Sequence, residues 1–176
     1  MGRIRAAKRL FADATIPAWG SEVDLPECHV HSLIADVAVL TDDRVLLVKY
    51  TDVNRYDHQE GWFLPDDGLR HLEHPEAGAR RILNEQLGLT VRRPALGNIE
   101  SFRGNDGSWH LAFHHSVAFE KAPPIQPSED LLAAEWFDLG KLPPKSEVAH
   151  HGWALSVIRN LMAKSRRAVA LGNKVS

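Results

Sequence analysis

The residues equipped for chemistry crowd into one stretch, Trp62 to Leu89, which reads WFLPDDGLRHLEHPEAGARRILNEQLGL. Asp66 and Asp67 stand side by side between Pro65 and Gly68, the composition of a tight acidic loop. Glu73, Arg81, Glu85 and Gln86 follow it. Positions 82, 85 and 86 are three and four residues apart, so on a helix they share one face. There Glu85 offers a carboxylate, Gln86 a neutral carbonyl oxygen and Ile82 nothing. Magnesium takes hard oxygen ligands in octahedral geometry, typically one or two carboxylates with waters and phosphate oxygens. The same residues also have a purely structural reading. Asp66 and Asp67 then make turn hydrogen bonds, Ile82 widens a buried stripe, and Arg81 pairs with Glu85 on the surface.

The elements that must position these groups are legible on either side. Trp62 to Leu64 reads as the end of a strand. A helix starts at Pro75, whose missing amide costs nothing in a first turn, and stops at Gly88, which takes a left-handed cap cheaply. Ala79, Leu83 and Leu87 recur along it as a core-facing stripe. Upstream, His31 to Leu40 and Arg44 to Tyr50 are apolar, β-branched runs joined by Thr41-Asp42-Asp43, the pattern of a hairpin. Downstream, a strand is expected within Thr90 to Phe102, another over Trp109 to Phe119, and a short one over Ala134 to Leu139. In the second of these, Leu111, Phe113, His115, Val117 and Phe119 take one face, and His110, Ala112, His114, Ser116 and Ala118 the other. A last helix carries Ala154, Val157, Ile158, Leu161 and Met162 at helical spacing. Its tail from Arg159 has five basic residues and no acidic one, and is expected to fray. Strands outnumber helices and one helix lies between strands, which points to a mixed sheet with helices on both faces.

The central stretch resembles the Nudix box, G-x5-E-x7-R-E-U-x-E-E-x-G-U, where U is apolar. Arg81, Leu83, Glu85, Gly88 and Leu89 fall on matching positions, and Glu73 on the first glutamate. Trp62-Phe63-Leu64-Pro65 is similar to the family's W-x-x-P lead-in, and Ala134-Glu135-Trp136-Phe137 with Leu142-Pro143 to its closing strand. The departures are Asp67 at the box glycine, Asp66 before it, Ile82 for the glutamate after the arginine, and Gln86 for the second glutamate of the pair. The resemblance implies an α/β fold, a Nudix-type α/β/α sandwich with a mixed central sheet. It also implies hydrolysis of a nucleoside-diphosphate-linked substrate with Mg²⁺ or Mn²⁺, with activity reduced by the altered box. On that reading Glu85, Glu73, Asp66 and Asp67 hold the metal, Arg81 orients the box glutamates, and Gln86 orients water or phosphate. Glu120 or Glu129 serves as base. The alternative from another class is a catalytically silent Nudix domain that senses a nucleotide or engages a protein partner.

Trp62 and Tyr56 are candidates to stack on a base or ribose, Arg55 and Arg103 to meet phosphate, and His114 to line the cleft. His115, among apolar neighbours, reads as a hydrogen-bonded core histidine. His71 and His74 flank Glu73 and suit solvent as well as phosphate. Cys28-His29-x-His31 has metal-ligand types but no fourth group at zinc spacing. With 176 residues and a formal net charge of −2, one domain without an overall field for nucleic acid or membrane is expected. The single cysteine suits a reducing compartment, no run approaches the ~18 apolar residues of a membrane span, and a cytoplasmic location is the default. The organisation expected is a basic N-terminal extension over 1–28, a Nudix-like domain over 29–165 and a basic tail over 166–176. The partner is a nucleotide-like small molecule, and a homodimer through residues 1–28 stays open. The basic ends (Arg3, Arg5, Lys8, Arg9; Lys164, Arg166, Arg167) read as solvated rather than as a nucleic-acid surface.

Overall fold

A computed structural model of the chain describes residues 31–55, 58–104 and 107–172. Cys28, His29 and Tyr56 lie outside them, as do the expected N-terminal extension and the end of the tail. The strand built from His31–Leu40, β1, is the middle of a mixed six-stranded sheet. Its centre is wholly apolar except at Asp36, and Ala35 to Val39 are all inaccessible to solvent. Along one edge it pairs in parallel with β5, Trp109–Ala118, over its full length. Outside β5 runs β4, Ala95–Arg103, antiparallel.

The other edge of β1 is shared. Arg44–Tyr50, β2, pairs with it antiparallel only at Val39 and Leu40 and then diverges to pair with β6, Leu131–Asp138. The backbone groups of β1 that β2 leaves behind need partners. They are taken by Asp66–Gly68, β3, which pairs with Ile34 to Asp36. The acidic segment expected to be a loop is thus a short strand wedged between β1 and the end of β2. Trp62 to Leu64, expected as a strand end, forms only single bridges, Phe63 to Val48 and Trp62 to Val148.

Two helices cover the sheet. Pro75–Leu87, α1, begins and ends where the sequence places it: His74 Nδ1 accepts from the Glu76 amide, and Gly88 takes φ 66°. The amides of Gly88 and Leu89 return to the carbonyls of Asn84 and Leu83, so the helix closes on a left-handed glycine cap. Ala79, Leu83 and Leu87 pack on Val37, Val39, Leu46 and Val48. On the opposite face, Ala154, Leu155, Val157, Ile158 and Leu161 of α2, Ala149–Gly172, meet Ala38, Val45, Leu47 and Trp62. The backbone is helical to Gly172, so the tail expected to fray from Arg159 continues the helix. The first turn of α2 is irregular: His150, His151 and Gly152 have φ of 50°, 55° and 84°. No helix among the described residues is long and apolar enough to cross a membrane.

Gly61 joins the two halves of this scaffold. At φ 115°, it leads into Trp62, whose amide donates to Glu147 O and whose carbonyl accepts from the Ala149 amide. A Cβ on Gly61 would stand 2.7 Å from the Glu147 carbonyl oxygen, a backbone atom that cannot turn aside. Gly61→Ala should therefore cost about 1–3 kcal/mol in urea unfolding, from the strained φ and the displaced 145–149 segment together.

Candidate functional site

The junction of β3 and α1 is built around Arg81, whose side chain is only 9% exposed. Its Nε and Nη2 donate to the two oxygens of Glu73 at 2.8 and 2.9 Å, a bidentate pair. Nη1 reaches Asp67 Oδ2 at 2.9 Å and Glu85 Oε2 at 3.4 Å, and Nη2 also meets the Gly68 carbonyl at 2.9 Å. Arg70 completes the cluster with Nη2 equidistant from both Glu85 oxygens at 2.9 Å, and with its amide on Glu73 Oε2. Each of the three carboxylates is thereby paired with at least one guanidinium. The Arg81 hydrogen bonds hold Glu73 below the ordinary carboxylate range despite its partial burial, and the same bonds keep Arg81 firmly protonated.

Behind the ion pairs lies a neutral, buried knot. Tyr50 Oη accepts from the Asp66 amide at 2.8 Å and stands 3.0 Å from the Asp66 carbonyl oxygen. Gln86 Nε2 donates to the same carbonyl at 2.8 Å, while its Oε1 lies 3.2 Å from Tyr50 Oη. The amide can stand only this way round, because a flipped Gln86 would set oxygen against oxygen. Ile82, one turn earlier, is 1% exposed and fills the space beside it with a branched alkyl group.

The remaining candidates are dispersed. Trp62 is 6% exposed in the core under α2, with Phe137 edge-on at 4.8 Å and Lys49 Nζ 4.5 Å above the ring. Arg55 ends a 3-10 turn, Val53–Arg55, and Arg103 closes β4 at the surface. Glu120 and Glu129 are exposed. The loop that holds Glu129 is stitched to the end of α1 by the Gln126 and Ser128 amides, on the carbonyls of Leu87 and Gln86. His115 is a core histidine, its Nδ1 on the Phe113 carbonyl at 3.0 Å. His114 is buried as well, but on the α2 side, with Nδ1 2.6 Å from Asp36 Oδ2. Asp36 was not among the sequence candidates, nor was Glu100, whose Oε2 lies 3.6 Å from His114 Nε2. The signal for Asp36 was available: a lone carboxylate inside the apolar run HSLIADVAVL.

A family model, described as the NUDIX domain, matches residues 31–157. The chain belongs to the Nudix family. Solved structures agree on the fold of this Nudix domain. A MutT NUDIX hydrolase from Burkholderia pseudomallei is 21% identical, with 75% of this chain and 96% of that one aligned at a TM-score of 0.60. An Ap4A hydrolase from C. elegans, solved as a binary complex, is 13% identical over 77% and 98%, at 0.61. A NUDIX hydrolase from Nitrosomonas europaea is 17% identical over 76% and 89%, at 0.59. At these identities the likeness shows the fold. A search of curated proteins returns no match to the chain.

Nudix hydrolases generally use divalent metals such as Mg²⁺. Among the described residues, no three His, Cys, Asp or Glu side chains are placed to hold a metal ion together. At the β3–α1 junction the carboxylates of Asp67, Glu73 and Glu85 face arginines, and the Asp66 carbonyl faces an N–H donor. This donor set does not fit a resident divalent cation as it stands.

The Glu73–Arg81 pair has a consequence for acid stability. A carboxylate held below its unfolded value stabilises the fold above that value, and the contribution vanishes as pH falls through the folded one. Urea unfolding should therefore show stability declining through the acid range. Glu73→Gln should make that decline shallower while lowering stability at neutral pH.

Proposed function

We propose that this Nudix domain binds a nucleoside-diphosphate-linked compound and does not cleave it through a cation held on α1. The observation that carries the reading is the Gln86 amide on the Asp66 carbonyl. A carboxylate at that position would face the carbonyl oxygen with like partial charge, and a cation between them would relieve the repulsion. An amide N–H joins the same two points directly, so no ion is needed for the loop and helix to meet. The ligand class follows from the family, whose members bind nucleotide-like substrates, and from relatives named for MutT and for Ap4A hydrolysis. Arg55, Tyr56 and Arg103 are the groups we assign to its phosphates and ring, together with Arg70, 64% exposed at the mouth of the cluster.

One feature favours the second reading, Mg²⁺- or Mn²⁺-assisted hydrolysis. Glu85 is 46% exposed, and its two guanidinium partners are groups a cation can replace. On that reading Glu85 and Glu73 would hold the ion with Asp66 and Asp67 in support, Gln86 would orient water or phosphate, and Glu120 or Glu129 would serve as base.

Thermal unfolding separates the two. Millimolar Mn²⁺ should leave the melting temperature of the wild type unchanged, and ADP-ribose or a nucleotide sugar should raise it in the presence of EDTA. Gln86→Glu should melt lower than wild type and regain stability on adding Mn²⁺. Stabilisation of the wild type by Mn²⁺ that Glu85→Gln abolishes, with release of phosphate-containing product, would establish the hydrolytic reading instead.

A further inference from the structure

On the face of the sheet under α2, strand register sets Asp66, Asp36 and His114 in one row across β3, β1 and β5. Residues opposite one another in paired strands share a face. Asp36 is entirely buried and takes the Nδ1 hydrogen of His114 through Oδ2. A carboxylate that fixes one ring nitrogen in this way leaves the other aimed outward in a set orientation. That outward nitrogen, Nε2, is buried without a hydrogen-bond partner, as is Asp36 Oδ1. Buried polar atoms are costly to leave unmatched, and an unmatched one in an oriented pair points to a missing partner.

The place for that partner is marked by Glu100. Its Oε2 lies 3.6 Å from Nε2, beyond hydrogen-bond reach, and accepts from Trp153 Nε1 at 3.2 Å. Its side chain is 35% exposed, whereas that of His114 is 1% exposed, so the row meets solvent through Glu100. Against the burial that opposes charge, the Asp36 and Glu100 carboxylates raise the His114 pKa and favour the imidazolium, with both ring nitrogens protonated. A donor, Nε2–H, and an acceptor, Oε2, thus stand side by side where one hydroxyl oxygen can touch both, accepting from the imidazolium and donating to the carboxylate. Aromatic faces flank them. Trp153 lies edge-on to His114 at 5.0 Å, and Phe102 is 6.0 Å from Trp153. Trp153 also follows directly on His150, His151 and Gly152, three consecutive left-handed residues. Two of them carry side chains that disfavour this conformation, the kind of stored strain that accompanies a segment with a second arrangement.

We propose that His114 and Glu100, with Asp36 as the positioning residue and Trp153 as the cover, form a subsite for a hydroxyl-bearing ring, the ribosyl or other sugar moiety of the bound compound. The ligand class rests on the proposed function; the subsite rests on the row itself. On binding, a ring hydroxyl sits against both Nε2 and Oε2 and replaces the indole on Glu100, and Trp153 turns to lie against the ring.

The test compares ADP-ribose with ADP on the full chain by isothermal titration. Both carry the diphosphate, and ADP-ribose adds a second hydroxyl-bearing ring. Wild type should bind ADP-ribose more tightly. Glu100→Gln and His114→Asn should weaken it by roughly 10- to 100-fold, the range for a lost hydrogen bond to a charged group, while ADP changes little. Equal weakening of both ligands would support the subsite with the nucleoside's own ribose as occupant. Unaltered binding of both ligands in Glu100→Gln would overturn the subsite and leave the proposed function intact. Absence of binding by either ligand to wild type would remove the proposed function, and this inference with it. Because His114→Asn disturbs a buried pair, ¹⁵N-histidine spectra of the wild type give a second readout. ADP-ribose should shift the His114 Nε2 resonance, and a resonance unmoved at saturating ligand also overturns the subsite.

Discussion

The peptide group of Asp66 is the point on which the geometry of this molecule turns. Its amide and carbonyl are the backbone groups of β3 that face away from β1, and nothing in the sheet can pair with them. Tyr50 from the end of β2 and Gln86 from the third turn of α1 satisfy both. With that done, strand, loop and helix are held at one spot by groups that carry no formal charge. The ion pairs around Arg81 then lie outside the knot, on its solvent side, where they fix the arm between β3 and α1. The order matters energetically. Neutral hydrogen bonds in a buried place lose little to screening, whereas half-exposed ion pairs are worth less and vary with salt.

Much of this was legible in the residues. The limits of α1 follow from Pro75 and Gly88, since both act through backbone geometry that no tertiary context needs to supply. The apolar runs gave β1 and β2, and the alternation over Trp109 to Phe119 assigned His114 and His115 to opposite faces correctly. What failed was non-local. Nothing in Asp66-Asp67-Gly68 favours a strand; it becomes one because β2 leaves an edge of β1 bare 30 residues upstream. The direction of the Gln86 amide was equally hidden, because it is set by Tyr50 and Asp66 together. Trp62 had no signature separating a stacking surface from a core wedge, and the bridge to Val148 makes it the latter in this fold.

The Asp36–His114 pair shows a different limit. Each residue is conspicuous by itself, a carboxylate in an apolar strand and a histidine in an aromatic one. Their pairing depends on β1 and β5 running parallel in a register 78 residues apart. Local pattern carries no register for parallel strands separated by a helix and three other strands, so the partner of an odd polar residue stays unknown until the sheet is assembled.

The burial of Ile82 and Gln86 also constrains which neighbouring sequences are open to this chain. Substituting a glutamate for Ile82 alone would put an unmatched carboxylate where 1% of the residue meets water. Substituting one for Gln86 alone would set two oxygens against each other across the Asp66 peptide. Either change needs an ion beside it to restore a favourable local charge balance. Without such an ion, a helix face of three glutamates is separated from this one by less stable intermediates. Descent by single steps would find that valley hard to cross in either direction.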